Sequence, residues 1–139
     1  MIAFDADVLT DIFVGHSTLS LRAAQIPAHE QSVPIIVVEE VLRGRLNSIR
    51  QAEAEKSKLS LERAYELFDE TLDAFRQVTI LPYSSAAEAL FQRWRSQKIR
   101  VGTHDLRIAA ICIVRSATLI TRNQRDFERV PGLSFEVWP

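Results

Sequence analysis

Four acidic residues, standing in four separated windows, carry most of the chemistry this chain offers. Asp5 closes the apolar run Met1-Ile2-Ala3-Phe4, and Glu40 follows Ile35-Ile36-Val37-Val38. Asp105 opens the stretch Leu106-Arg107-Ile108-Ala109-Ala110, and Asp126 comes just after Ala117-Thr118-Leu119-Ile120-Thr121. Each window reads as the end of a hydrophobic strand or the start of the helix after it. In an open parallel α/β sheet, ligand sites gather at the carboxyl ends of the strands. Carboxylates delivered to that one edge repel each other unless a hard divalent cation holds them. All-oxygen donors of this kind suit Mg²⁺ or Mn²⁺ and not zinc. The natural substrate of such a pocket is a phosphodiester: a bound cation bridges carboxylate and phosphate and lowers the pKa of its water. A carboxylate not fully used by the metal would orient or deprotonate that water.

Each acid also has a plainer explanation. A carboxylate at the end of a central strand costs several kcal/mol in desolvation if it has no task, which makes Asp5 the anchor. Glu40 and Asp105 fit equally well as residues near a helix N-terminus, favoured by the helix dipole. Asp126 fits a turn or cap in Asn123-Gln124-Arg125-Asp126. The joint arrangement, not any single acid, favours a metal site. The histidines His16, His29 and His104 show no ligand spacing, and the single cysteine excludes a thiolate site. His104, beside Asp105, reads as a cap or surface residue. No Gly-rich phosphate loop is present, with only four glycines in the chain.

The elements that must position these residues belong to a chain of 139 residues, which reads as one domain with a single core. Hydrophobic and charged contents of 47% and 25% are those of an ordinary soluble protein. No apolar run approaches the roughly 18 residues of a membrane span, and the N-terminus has no signal-peptide pattern. Cys112, among Ile108, Ala109, Ile111 and Ile113, reads as a small buried hydrophobe. These features point to the cytoplasm. Fourteen of the seventeen basic residues are arginine, whose planar fork suits phosphate, and neutralising four acids takes the formal charge from −1 to +3. A nucleic-acid partner is compatible with that charge without being demanded by it.

Met1–Asp5 reads as a buried strand, with short helices over Val8–Val14 and Ser17–Ile26. Pro27 and Pro34 bracket a polar connection, His29–Val33. The β-branched run Ile35–Val38 reads as a strand buried on both faces, and a helix follows over Glu39–Ile49. Ala52–Ser60 reads as a linker or turn. Leu61, Ala64, Tyr65, Phe68, Leu72 and Phe75 then recur at helical spacing. Gln77–Leu81 is a short strand. Ser85 and Glu88 have the form of a capping box before a helix with Ala87, Leu90, Phe91 and Trp94 on one face. Thr103 is placed to N-cap the helix Leu106–Arg115, and Ala117–Thr121 and Ser134–Val137 complete the strands. The order β-α-α-β-α-α-β-α-α-β-α-β implies a parallel sheet covered on both faces, with Phe135–Trp138 as an edge strand.

With the residues in place, the chain resembles the PIN domains, and within them the toxin nucleases of VapC type. Ile2-Ala3-Phe4-Asp5-Ala6-Asp7-Val8-Leu9 resembles the family's opening, Asp-Thr-Asn followed by two aliphatics. Val38-Glu39-Glu40-Val41-Leu42-Arg43-Gly44 resembles Glu-Leu-x-x-Gly, and the Gly44 spacing selects Glu40 over Glu39. Asp105-Leu106-Arg107-Ile108-Ala109-Ala110 is similar to Asp-x-x-Ile-Ala-Ala. Thr121-Arg122-Asn123-Gln124-Arg125-Asp126-Phe127 is similar to Thr-x-Asn-x-x-Asp-Phe. The resemblance implies a three-layer α/β/α fold and Mg²⁺- or Mn²⁺-dependent cleavage of RNA, often by a toxin silenced by a cognate antitoxin and often dimeric. By position, Asp5, Glu40, Asp105 and Asp126 would be the metal-binding acids, with Thr121 and Asn123 supporting the last of them. One departure is Asp7, where the family's usual asparagine stands. It either raises metal affinity or is simply a helix-start residue.

Three other readings compete. A PIN-type nuclease of RNA processing would act without an antitoxin. Asp5-Ala6-Asp7 has the Asp-x-Asp form of haloacid-dehalogenase-like phosphatases, in which Asp5 would attack phosphorus. Against it, Leu9 stands where that family prefers Thr or Val, and Lys56, Lys58 and Lys98 all fall in polar segments. An inactive interaction module would not need the intact acid set. The apolar helices Ser17–Ile26 and Leu61–Phe75 either complete the core or offer exposed surface to an antitoxin segment.

Overall fold

The computed structural model describes Met1 to Pro139, the side chain of Ser17 excepted. Five short strands form one wholly parallel sheet in the order β3-β2-β1-β4-β5. They are β1 (Ile2–Phe4), β2 (Gln31–Pro34), β3 (Thr79–Leu81), β4 (Thr118–Thr121) and β5 (Phe135–Val137). Between them run α1 (Ala6–Phe13), α2 (Ser17–Ala24), α3 (Ile35–Glu53), α4 (Leu61–Arg76), α5 (Ser85–Ser96), α6 (Thr103–Val114) and α7 (Gln124–Phe127). A parallel strand can be followed by its neighbour only through a crossover, and here every crossover is helical. The result is a three-layer α/β/α fold with β5 on one edge, as the element order implies.

The chain builds outward from β1 to β2 and β3, then returns to lay β4 and β5 on the other side. The reversal falls between β1 and β4, where Ile2, Ala3 and Phe4 pair with Thr118, Leu119 and Ile120. Such a reversal leaves a crevice beyond the carboxyl ends of the two central strands, because their following helices leave on opposite sides. The crevice is walled by a dry core. Ala3, Phe4, Leu119, Ile120 and Phe127 are buried with Ile108, Ala109, Ala110, Ile111 and Cys112 of α6. Of the seven α6 positions from Leu106 to Cys112, all but Arg107 are buried, so small and branched residues let this helix pack centrally.

The region after Pro27 differs from the sequence expectation. The strand is Gln31–Pro34, within the stretch read as a polar connection, and Ile35–Val38 is the first turn of α3. Polar residues hide this strand. Ser32 is fully buried, with its Oγ donating to Ile2 O at 2.7 Å, and Gln31 Nε2 donates to Ala23 O and Ile26 O, both at 2.8 Å. Ile36, Val37 and Val38 are buried because α3 enters the core with its first turn, and an apolar run of four cannot tell a buried helix start from a strand. Pro34 is tolerated because it sits at the end of β2 and directly precedes the helix.

Two caps move by one residue. Ser84, not Ser85, caps α5, its Oγ accepting from Ala87 N at 3.2 Å, so the Ser85–Glu88 capping box does not form. Gly102 occupies the N-cap of α6, and Thr103 is its first helical residue. The Ala52–Ser60 connection begins later, since α3 runs on to Glu53.

Candidate active site

Asp5 leaves the end of β1 and is at once the N-cap of α1. Its backbone N–H donates to Ile120 O (2.9 Å), while its Oδ1 accepts from Ala6 N at 2.8 Å. Its other oxygen accepts from Thr121 Oγ1 at 2.7 Å. Thr121, fully buried at the end of β4, thus ties the two central strands together across the reversal point. The same hydroxyl accepts from Asn123 N at 3.0 Å. Thr121 therefore supports Asp5, where the sequence reading had it supporting Asp126.

Asn123 does serve Asp126. Its Oδ1 accepts from Asp126 N (3.4 Å), capping α7, and its Nδ2 donates to Asp126 Oδ2 at 3.0 Å. The same Nδ2 lies 3.5 Å from Asp105 Oδ2, so one amide spans two carboxylates from different elements. Glu40 comes from the second turn of α3 and meets α6 through His104, whose Nδ1 lies 3.1 Å from Glu40 Oε1. Glu39 approaches the other ring nitrogen at 3.6 Å. His104 is thereby a site partner, which the sequence reading missed; its place beside Asp105 at a helix start was the available signal.

Asp5, Glu40 and Asp105 all have raised pKa values. Burial raises the pKa of Asp5, offset by the Thr121 and Ala6 hydrogen bonds and reinforced by the charge of Asp7. Glu40 is raised by burial and then by Asp5, while His104 opposes the shift. Asp105 is pushed up to about 6 by burial and by the charges of Asp5, Glu40 and Asp126 together, again opposed by His104. Yet among the described residues no three His, Cys, Asp or Glu side chains close around one point as ligands. The two facts agree: charge acts across several ångströms, whereas coordination to a hard cation needs about 2.0–2.6 Å. Asp5 is instead held by Thr121 and Ala6, Glu40 by His104, and Asp105 and Asp126 by the shared amide of Asn123. The donor set, oxygen atoms with one imidazole engaged by Glu40, has the chemistry a hard divalent ion requires.

Asp7 lies in the first turn of α1 and is exposed. It lines a cleft of about 390 Å³ with Ala6, Thr10, Glu40, Val41, Gly44 and Arg45. Beyond the acids, the Arg122 guanidinium pairs with the Asp11 carboxylate, clamping the β4–α7 loop onto α1. Cys112 is fully buried, its thiol pushed up to about 12 by burial, and is inert as expected.

A doubly wound parallel sheet with an acid constellation at its reversal point defines the class, an α/β protein with a polar site at the carboxyl edge. The chain belongs to the PIN-domain family, whose model matches residues 2–133. It is similar to Ribonuclease VapC1 of Rickettsia felis, with 39% identity over 59 residues, 40% of this chain and 44% of that one. It is also similar to Ribonuclease VapC2 of the same organism, 45% over 38 residues, 27% and 28% of the two chains. These matches span under half the length of either relative. Solved structures resemble it throughout. The Rickettsia felis VapBC2 complex with a promoter DNA fragment is 24% identical, covers 100% of both chains and has a TM-score of 0.75. DNA-bound VapBC from Salmonella typhimurium gives 23%, 100% of both and 0.76, and FitAcB from Neisseria gonorrhoeae 18%, 98% and 97%, and 0.79. At these identities the likeness is one of fold.

Proposed function

We propose that this chain is a Mg²⁺- or Mn²⁺-dependent endoribonuclease, the toxin of a toxin–antitoxin pair. The observation that carries this reading is the gathering of Asp5, Glu40, Asp105 and Asp126 at the reversal point of the sheet, held there by Thr121, His104 and Asn123, with Asp105 raised by burial and by the charges of the other three. Such repulsion destabilises a fold unless a cation relieves it. Family membership supports hydrolysis of a phosphodiester, and the two relatives named as ribonucleases support RNA as the substrate.

Asp5, Glu40, Asp105 and Asp126 would hold the ion, which when bound offsets the charge of the phosphodiester and acidifies a water. The chain's own residues supply orientation. Thr121 and the Ala6 N–H fix both oxygens of Asp5, His104 fixes Glu40, and Asn123 holds Asp105 and Asp126 at a set spacing. A carboxylate not fully used by the ion would orient or deprotonate the attacking water. Asp7 acts through its charge at the cleft wall.

The partner is an antitoxin that covers apolar helix surface. Leu21 of α2 and Tyr65 of α4 are 67% and 50% exposed, and Val14 after α1 is 66% exposed. One structural neighbour, from Klebsiella pneumoniae, is described as a toxin–antitoxin complex, and another, from Mycobacterium tuberculosis, as a member of the VapBC family of toxin–antitoxin systems, which supports that partner; a homodimer in the cytoplasm is the expected assembly. No helix is long and apolar enough to cross a membrane.

The test is cleavage of cellular RNA with Mg²⁺ or Mn²⁺ against an Asp5→Asn variant, together with growth on induction. Asparagine keeps the N-cap, so the variant should fold, fail to cleave and relieve growth arrest. Unchanged toxicity in Asp5→Asn would sink the assignment. Failure to bind either ion by calorimetry would leave an interaction module instead.

A further inference from the structure

Resting on the ribonuclease reading, we propose that Arg45 is the substrate-phosphate clamp of the site, held ready by Thr71. Arg45 follows Gly44 on α3 and lines the cleft that contains Glu40 and Asp7. It also lines the adjoining cleft of about 350 Å³ between the end of α1 and α4, so its side chain stands at the junction of the two. RNA entering the cleft that holds Glu40 and Asp7 meets it.

The arginine is pre-positioned. Its Nε donates to Thr71 Oγ1 at 2.9 Å, and Thr71 is 3% exposed in the middle of α4, its own hydroxyl donating to Leu67 O at 2.7 Å. With Nε engaged, the Nη groups keep the remaining N–H donors of the guanidinium for a ligand. Other arginines near these clefts are already matched. Arg43 pairs with Glu39 at 2.8 Å, Arg63 with Glu66 and Glu70 at 3.0 and 3.2 Å, and Arg122 with Asp11. Among the described residues no carboxylate lies within 4.0 Å of the Arg45 guanidinium. A cation kept unpaired, fixed at one nitrogen and set beside a cluster of acids suits an incoming phosphate. It offsets the repulsion those acids would exert on the nucleotide next to the scissile bond, and a guanidinium can do so with two parallel hydrogen bonds.

The experiment is binding of a short fluorescein-labelled single-stranded RNA of mixed sequence to the full chain carrying Asp5→Asn, by anisotropy across a salt series. Adding Arg45→Ala should weaken binding about tenfold and flatten the salt slope by about 0.7, the value for one phosphate contact on a single strand. Thr71→Val, which keeps volume and removes the anchor, should weaken binding less and leave the slope in place. In the otherwise wild-type enzyme, Arg45→Ala should raise KM with little change in kcat. Unaltered affinity, no measurable RNA binding by the parent, or weaker binding with an unchanged salt slope and a fallen melting midpoint, would each overturn the proposal. The two readings fail separately. Cleavage indifferent to Arg45 removes only the clamp, and Arg45-dependent binding without cleavage removes only the nuclease.

Discussion

Asp105→Asn should stabilise the metal-free protein while destroying its activity. Asp105 has its pKa raised from 3.8 to about 6 by burial and three neighbouring charges. The native state therefore binds a proton over a pH range in which the unfolded chain has released it. Stability contributed by the neutral carboxyl is fully present below the unfolded value and is lost as pH rises through the folded one. Two pH units at about 1.36 kcal/mol each give about 3 kcal/mol. The carboxyl is only half-buried, and solvent screening reduces that to about 1–2 kcal/mol. Asparagine has the shape of the protonated acid and carries no charge at any pH. The variant should match wild type near pH 4 and exceed it above pH 6 by that amount, a rise of about 3–8 °C in melting midpoint. Melts in EDTA across the pH range measure it. Saturating Mn²⁺ should reverse the order, because only the wild type gains from ligand binding. Equal stabilities at all pH values in EDTA would refute the claim that repulsion among these acids is stored in the fold.

Four further outcomes test the rest of the site. Asp5→Asn abolishes metal-dependent cleavage with the circular-dichroism spectrum unchanged. Thr121→Val strands a buried Asp5 oxygen and should cost about 1–3 kcal/mol in urea unfolding, with a loss in kcat. Asp7→Asn should weaken Mn²⁺ binding by calorimetry only about three- to tenfold, the reach of an exposed charge; a loss of a hundredfold or more would make Asp7 a ligand. Gly44→Ala has no neighbour within 4 Å to strike, so it should gain about 0.5–1 kcal/mol of helix stability. Its methyl enters the cleft beside Glu40, and the rate of cleavage should fall as the melting point rises.

The acids were legible in the sequence because each stands against an apolar run that must be buried, and although Glu40, Asp105 and Asp126 each have a plain explanation alone, four such boundaries together do not. Alternation of strand and helix gave the parallel sheet for the same reason. The strand Gln31–Pro34 was not legible. Its polar residues are satisfied by partners distant in the chain, with Ser32 bonding Ile2 across the sheet and Gln31 reaching back to Ala23 and Ile26. Local patterning contains no trace of such bonds, so buried polar residues look like a loop. The run Ile35–Val38 failed in the opposite sense: a helix entering the core by its first turn is apolar on every side, and over four residues periodicity has no room to appear.

The helical start of α3 at Ile35 bears on the chemistry. A helix beginning at Ile35 brings Glu40 to its second turn, one turn before Gly44, and into the cleft that Arg45 also lines. A strand there would have set Glu40 at a helix entrance, where the macrodipole alone could account for it. Six residues into α3 that explanation weakens, and the carboxylate is held by His104 of another element. A similar shift applies to His104, whose partners lie 64 and 65 residues away in the chain and could not be found by spacing. The side chains that hold the four acids, Thr121, Asn123 and His104, come from the end of β4, the N-cap of α7 and the start of α6. Substituting any of them should alter how the carboxylates are aimed before it alters the fold.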